Sequence, residues 1–304
     1  MIRAFGEGDL DEAAALLERR HRRHLAAEPL LPPEPAFRDE VESLRGSEGA
    51  SGAIAPGGYV VGAPRDDPVW GPNVWIESAG HAADEPELVR DLYASVASGW
   101  IERGLKAHYV LVPGSDAALV DAWFRLGFGA QQAHGIIEIP DVPWPATVRE
   151  AEERDVEALV SLAPVLAEHQ HRTPVFGPAR RWSDEEIRKE VHEDLERDDI
   201  GNLVVELDGR VVANFVVCPI ELASGHAGLA RPSGAAYLAF AITHPDARGS
   251  GAGVALTDAC FAWARERGYR TMTTDWRVTN LLSSRFWPKR GFRTSFLRLH
   301  RLIA

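Results

Sequence analysis

The chain has 304 residues, 45% apolar and 26% charged, enough for two domains with cores of their own. A formal charge of −12 argues against nucleic acid, which needs a basic patch, and against an anionic membrane surface; it suits a cationic amine as ligand. No apolar run approaches the roughly 18 residues that span a bilayer, and Met1–Glu7 lacks a signal-peptide segment. The expectation is a cytoplasmic monomer or homodimer.

The spacing of Leu10, Ala13, Leu16 and Leu17 predicts a helix over Asp9–His24, capped at Gly8 or Asp9. Its end, Arg19 to His24, is the densest basic cluster and reads as cations at a helix C-terminus. Gly46–Gly58, rich in Gly, Ala and Ser, predicts a mobile loop. Val74–Ser78 and His108–Val112 read as strands around a helix over Glu87–Gly104. Trp70, Trp75, Trp100, Trp123 and Phe124 are expected in the core. Prolines at 140, 143 and 145 mark a linker over 141–146 between domains at 1–140 and 147–304.

Beyond the linker, Thr147–Glu150 starts a strand and Asp155–His169 a helix that Pro164 kinks. Ser183 with Glu186 forms a capping box for the next helix. Asn202–Leu207 and Arg210–Cys218 alternate as strands joined by Asp208-Gly209, a hairpin signal. Tyr237–Thr243 is apolar like a central strand, and Ser250–Arg267 carries Leu256, Cys260 and Trp263 on one helical face. Cys218 and Cys260 read as small core residues, without disulfide or metal.

The chain also repeats itself. Arg3 and Asp9 recur with the same spacing at Arg149 and Asp155. The run from Glu102-Arg103-Gly104 through Asp116, Trp123 and Gly127-Phe128 aligns without a gap on Glu266-Arg267-Gly268 through Asn280, Trp287 and Gly291-Phe292. Two copies of one fold follow.

The strand ending at Ile242-Thr243 turns into a helix through Arg248-Gly249-Ser250-Gly251-Ala252-Gly253. The first N–H groups of a helix lack intrahelical partners and sit at the positive end of its dipole, so this turn makes an anion cradle, with Arg248 adding charge. Opposite Arg248, Gly251 and Gly253 the first copy has Asp84, Glu87 and Val89, and opposite Asp275 it has Leu111. The first copy therefore reads as one that has lost its cradle.

Arg248, Gly251 and Gly253, followed by Asn280, Ser283, Phe286, Lys289, Gly291 and Phe292, resemble the signature of the GNAT acyltransferase superfamily. The resemblance implies an α/β (α+β) protein of two tandem GNAT folds, each a mixed central sheet flanked by helices. It implies acetyl-CoA or another acyl-CoA as co-substrate, with no metal. The pyrophosphate would lie on the 249–253 amides and the pantetheine arm beside the strand ending at Thr243, with Phe286, Trp287 and Lys289 completing the binding segment. Direct transfer of acetyl to a small-molecule or peptide amine in a ternary complex follows.

An amine must lose its proton before it can attack. Asp275, at a strand end, is the first candidate base, against a bland reading as a carboxylate that satisfies backbone N–H groups. Tyr237 is a second candidate, suited to orienting water or substrate, and His244 reads better as a turn residue. Where relatives carry a tyrosine that protonates the leaving thiolate this chain has Trp287, whose indole holds its proton, leaving Ser283 or Ser284 to assist through water. The acceptor wall is expected from 165–197 and 293–303, with His169, His171, Arg172, Glu185, Glu186 and His192 as possible contacts.

Overall fold

Each sequence repeat folds into the same short knot. The Arg3 guanidinium grips both oxygens of Asp9 at 2.7 and 2.5 Å, and the Gly6 N–H adds a bond at 2.7 Å. Arg149 grips Asp155 at 2.6 and 2.9 Å, with the Glu152 N–H at 2.8 Å. A single 3-10 turn and a helix follow in both places. Asp9 thus stands at the helix start yet spends its carboxylate on Arg3 and Gly6, without a side-chain cap bond to the helix itself.

The computed structural model describes residues 1–67, 69–178, 182–223 and 228–304. It divides into two units that interleave along the chain. Unit 1 is Met1–His134 with Thr294–Ala304 and a short stretch around Leu229; unit 2 is the remainder. The last strand thus falls in unit 1, and residues 135–140 fall in unit 2.

In chain order unit 1 has β1 (Arg3–Ala4), α1 (Leu10–Ala27), α2 (Phe37–Gly46), β2 (Ser51–Ala55), β3 (Gly58–Asp67), β4 (Gly71–Ile76), β5 (His81–Ala83), α3 (Leu88–Glu102), β6 (Ala107–Pro113) and α4 (Ala117–Phe124). Strand β7 (Gly129–Glu138) crosses the boundary. Unit 2 has β8 (Val148–Glu150), α5 (Val156–Leu162), α6 (Pro164–His171), α7 (Asp184–Leu195), β9 (Gly201–Leu207), β10 (Arg210–Pro219), β11 (Ala236–Thr243), α8 (Ala252–Glu266), β12 (Thr271–Arg277) and α9 (Ser283–Lys289), and β13 (Arg293–Leu302) returns to unit 1.

In unit 1 the strands pair in the order β1-β2-β3-β4-β6-β13, with β4–β6 parallel and the rest antiparallel, and β5 on β3. Alternation along the strands divides the core. Val60, Val74 and Val110 pack with Leu92, Trp100 and Trp123 of α3 and α4. Tyr59, Val61 and Leu111 pack with Leu10, Leu17 and Val41 of α1 and α2, where Leu229 joins them. Unit 2 pairs its strands in the order β8-β9-β10-β11-β12, with β11–β12 parallel. Helix α8 packs on β9, β10 and β11, and α5 on β10 and α7. Both units are thus mixed sheets flanked by helices.

The Asp208-Gly209 hairpin has positive φ at both residues, 49° and 74°, as a two-residue primed turn requires. The Ser183 Oγ accepts from the Glu186 N–H at 3.2 Å, and the Glu186 carboxylate accepts from the Ser183 N–H at 2.8 Å, completing the capping box of α7. Both thiols are buried, and burial pushes that of Cys218 up to about 12.

Four expectations need correction. Gly46–Gly58 is not a loop throughout, since Ser51–Ala55 is strand β2. Its small residues serve close packing: a Cβ on Gly52 would lie 2.4 Å from the Val60 carbonyl oxygen, and the Trp100 indole donates to Ser51 Oγ at 2.8 Å. The 19–24 cluster is not a set of cations closing a helix C-terminus, because α1 runs on to Ala27 with only His24 in its last turn, Arg20, His21 and His24 are buried, and Arg19 pairs with Asp84. The Asp155–His169 helix breaks at Ala163, with Pro164 opening a new helix at its first position, where the missing N–H costs nothing. Trp100 and Trp123 are core, but Phe124 is 43% exposed.

Candidate active site

The parallel pair of unit 2 comes apart. Strands β11 and β12 pair from Ala236–Leu238 against Met272–Thr274, and both run on beyond that point. The last paired carbonyl, of Leu238, also accepts from Thr274 Oγ1 at 3.0 Å. On its other side β11 skips one residue against β10, with Val217 opposite Leu238 and Val216 opposite Phe240. Ala239 is the extra residue of this bulge, a device that bends a strand and leaves its extra residue out of the ladder. Ala239 is accordingly exposed in the middle of an otherwise apolar strand.

A cavity of about 580 Å3 fills the wedge. Leu238 to Thr243 and Thr274 to Arg277 form its two strand walls, Val165, Leu166, His169 and Gln170 of α6 close one side, and Phe215 and Trp287 line its base. At its far end lie Arg248, Gly249, Gly251, Ala252 and Gly253, where α8 begins.

Gly249 and Gly251 hold φ at +85° and +92°, in the left-handed region that side chains avoid, and a Cβ on either would meet nothing within 4 Å. Gly253 has ordinary φ, and a Cβ there would lie 3.5 Å from the Phe286 ring, inside the cavity. Ser250 lies off the cavity wall and its Oγ accepts from the Ala252 N–H at 3.3 Å. Helix α8, 15 residues long, opens here with its positive dipole end, shortly after the exposed Arg248.

The two candidate catalytic residues meet. The Tyr237 phenol donates to Asp275 Oδ2 at 2.8 Å; Asp275 lines the cavity, and Tyr237 stands behind it. Ile242, Thr243, Asn280 and Phe286 also line the wall. Trp287 is 5% exposed among Phe215, Phe286 and Phe292, a packing position. Lys289 is exposed at the end of α9, off the cavity wall, and His244 accepts from the Asp246 N–H in a local turn. Of the expected acceptor wall at 165–197, residues 179–181 lie outside the described residues.

Asn280 does more than its spacing suggested. Its Oδ1 accepts from the Leu282 and Ser283 N–H groups at 3.1 and 3.4 Å, capping the start of α9, and from His169 Nε2 at 3.0 Å. Nothing in the sequence ties positions 169 and 280 together.

The equivalent place in unit 1 is filled by its own side chains. The buried Arg20 guanidinium donates to the carbonyls of Ser78 and His81, and His81 Nε2 donates to the Leu111 carbonyl at 3.0 Å. By the Arg3–Arg149 repeat, Arg20 corresponds to Leu166, which lines the unit 2 cavity. Asp84 is tied to Arg19 at 3.0 Å, which holds its carboxyl below the usual range.

Residues 165–292 match the family model described as Acetyltransferase (GNAT) family. No curated protein matches the chain in sequence. Among solved structures, a GCN5-related N-acetyltransferase from Sphaerobacter thermophilus is similar over 99% of this chain and 95% of its own, with a TM-score of 0.60 at 13% identity. A GCN5-related glucosamine N-acetyltransferase region of a fungal multi-domain GH3 β-N-acetylglucosaminidase is similar over 99% of this chain and 38% of its own, with a TM-score of 0.56 at 14% identity. At such identities the likeness is one of fold. The residues matched by the GNAT acetyltransferase family model hold both the wedge between β11 and β12 and the glycine turn into α8.

Proposed function

We propose that unit 2 transfers an acyl group, acetyl in the simplest case, from acyl-CoA to a primary amine by direct attack. The observation that carries this reading is one cavity bounded at one end by the Gly249–Gly251 turn into α8 and along its wall by Asp275. A pyrophosphate fits that turn because the space a Cβ would take at 249 and 251 is open and the helix start supplies N–H donors. The splayed walls of β11 and β12 offer an extended arm the backbone groups that the ladder leaves unused beyond Leu238 and Thr274. Asp275, oriented by Tyr237, meets the incoming amine as an ammonium and draws it against the thioester.

Unit 1 is proposed as a second copy of the fold without this activity. Arg20 and His81 occupy the carbonyls that line its wedge, and Asp84 and Glu87 would repel a pyrophosphate at the start of α3. One acyl-CoA per chain follows.

A second reading, an acyl-CoA-binding protein without turnover, is favoured by Trp287, buried where a proton donor is expected. Calorimetry with acetyl-CoA, followed by thiol release with glycinamide, glucosamine and phenethylamine, separates the two. Turnover supports the enzyme, binding alone supports the binding protein, and absence of binding removes both.

A further inference from the structure

We infer that His169 is the proton acceptor of this reaction, through Nδ1, with Asn280 holding its ring. The inference rests on unit 2 being an acyl-CoA:amine acyltransferase and adds a residue from outside the β11–α9 segment.

The ring's orientation fixes its chemistry. Asn280 Oδ1 accepts from two backbone N–H groups, so that atom is an oxygen and an acceptor. His169 Nε2, 3.0 Å from it, must therefore carry the hydrogen. In a neutral imidazole the basic lone pair then lies on Nδ1. Among the described residues no hydrogen bond reaches Nδ1, and it is not sealed from solvent. His169 lines the same cavity as Asp275, Arg277 and Arg248, the charged groups that reach it from β12 and from the turn before α8. On its own helix the neighbours are Glu168, His171 and, just past the end, Arg172, with Glu168 and Arg172 paired to each other at 3.7 Å.

Asp275 is less suited to the role. Its Oδ2 already accepts from Tyr237, which occupies that oxygen. It attracts the ammonium instead.

The steps balance. The ammonium gives one proton to Nδ1, the neutral nitrogen attacks the thioester carbonyl carbon, and the C–S bond breaks with its electron pair on sulfur. The second proton lost from nitrogen passes to water, and the imidazolium returns its proton to the thiolate. One imidazole so serves as base and then as acid, filling the place that Trp287 cannot.

The test compares wild type with His169→Gln, whose amide can still donate to Asn280 but has no basic nitrogen, and with His169→Ala. Glycinamide, glucosamine and phenethylamine serve as acceptors, acetyl-CoA binding is followed by calorimetry, and the tautomer is read from imidazole 15N shifts assigned with the variants. The expected result is an Nε2–H tautomer and unchanged acetyl-CoA affinity. In H169Q kcat falls by about 100-fold or more and the acid limb of its pH profile disappears, while added imidazole restores part of the H169A rate. An Nδ1–H tautomer, or H169Q with the wild-type rate and limb, overturns this inference alone. Failure of the wild type to bind acetyl-CoA, or binding without turnover on all three amines, overturns the functional reading beneath it.

Discussion

Tyr237 and Asp275 sit on neighbouring parallel strands and meet through a 2.8 Å hydrogen bond just where those strands begin to part. The phenol fixes one carboxylate oxygen. Under the proposed function Asp275→Asn removes the charge assigned to drawing the amine, so kcat/KM should fall by about 100-fold, mainly through the amine KM, with acetyl-CoA affinity unchanged. Tyr237→Phe should cost about tenfold in the same constant, a hydrogen bond to a charged group contributing roughly 1.5–3 kcal/mol at most. Steady-state kinetics by thiol release measures both.

The glycine turn gives an opposite pattern. Gly251→Ala must place a side chain at φ +92°, which costs roughly 1–2 kcal/mol of strain, and Gly249→Ala does the same at +85°. Both should lower the melting temperature and weaken CoA binding by about tenfold. Gly253→Ala has ordinary φ and should leave the fold intact, its Cβ reaching Phe286 at 3.5 Å and narrowing only the cavity. Calorimetry beside thermal unfolding separates strain from lost space.

Acid should strike unit 1. Burial lowers His24 and His81 to about 3, with Arg20 adding repulsion. Both are ordinary imidazoles once unfolded. The unfolded chain therefore binds more protons than the folded one between pH 6.5 and 3, and stability is full above that window and lost as pH falls through it. Each histidine contributes a slope of about 1.4 kcal/mol per pH unit there. Urea unfolding across this range should show the slope, and His24→Gln should reduce it by about one histidine's worth.

Unit 1 should take no acyl-CoA even when its surface charge is corrected. Asp84→Ala with Glu87→Gly removes the repulsion but leaves Arg20 on the Ser78 and His81 carbonyls. Calorimetry should still give one site per chain. Two sites would show that the charge alone had closed it.

Much of the fold was legible because it is written in local pattern. The Asp208-Gly209 turn, the Ser183–Glu186 box and the apolar run at 237–243 each state a backbone geometry in a few residues. The glycines at 249 and 251 were legible as a turn into a helix, though their positive φ is a reason for them that spacing does not reveal. Strand β2 was hidden because Gly52 and Ala53 are small for the sake of β3 and not of a loop. The inward turn of Arg20 and His24 was hidden for a similar reason, since Arg20 reaches the carbonyls of Ser78 and His81 some sixty positions away and His24 packs edge-on against the Phe296 ring of β13. The contact between His169 and Asn280 joins residues 111 positions apart and leaves no trace in either segment.

Strand β13 pairs with β6 from Phe296 on Pro113 to Leu302 on Ala107, so one edge of the first unit's central ladder is made from residues translated nearly two hundred positions later. A nascent chain emerging from the ribosome therefore carries an open β6 until the second unit has been made. Deleting residues 294–304 should expose that edge and cause aggregation through the half that holds no proposed chemistry.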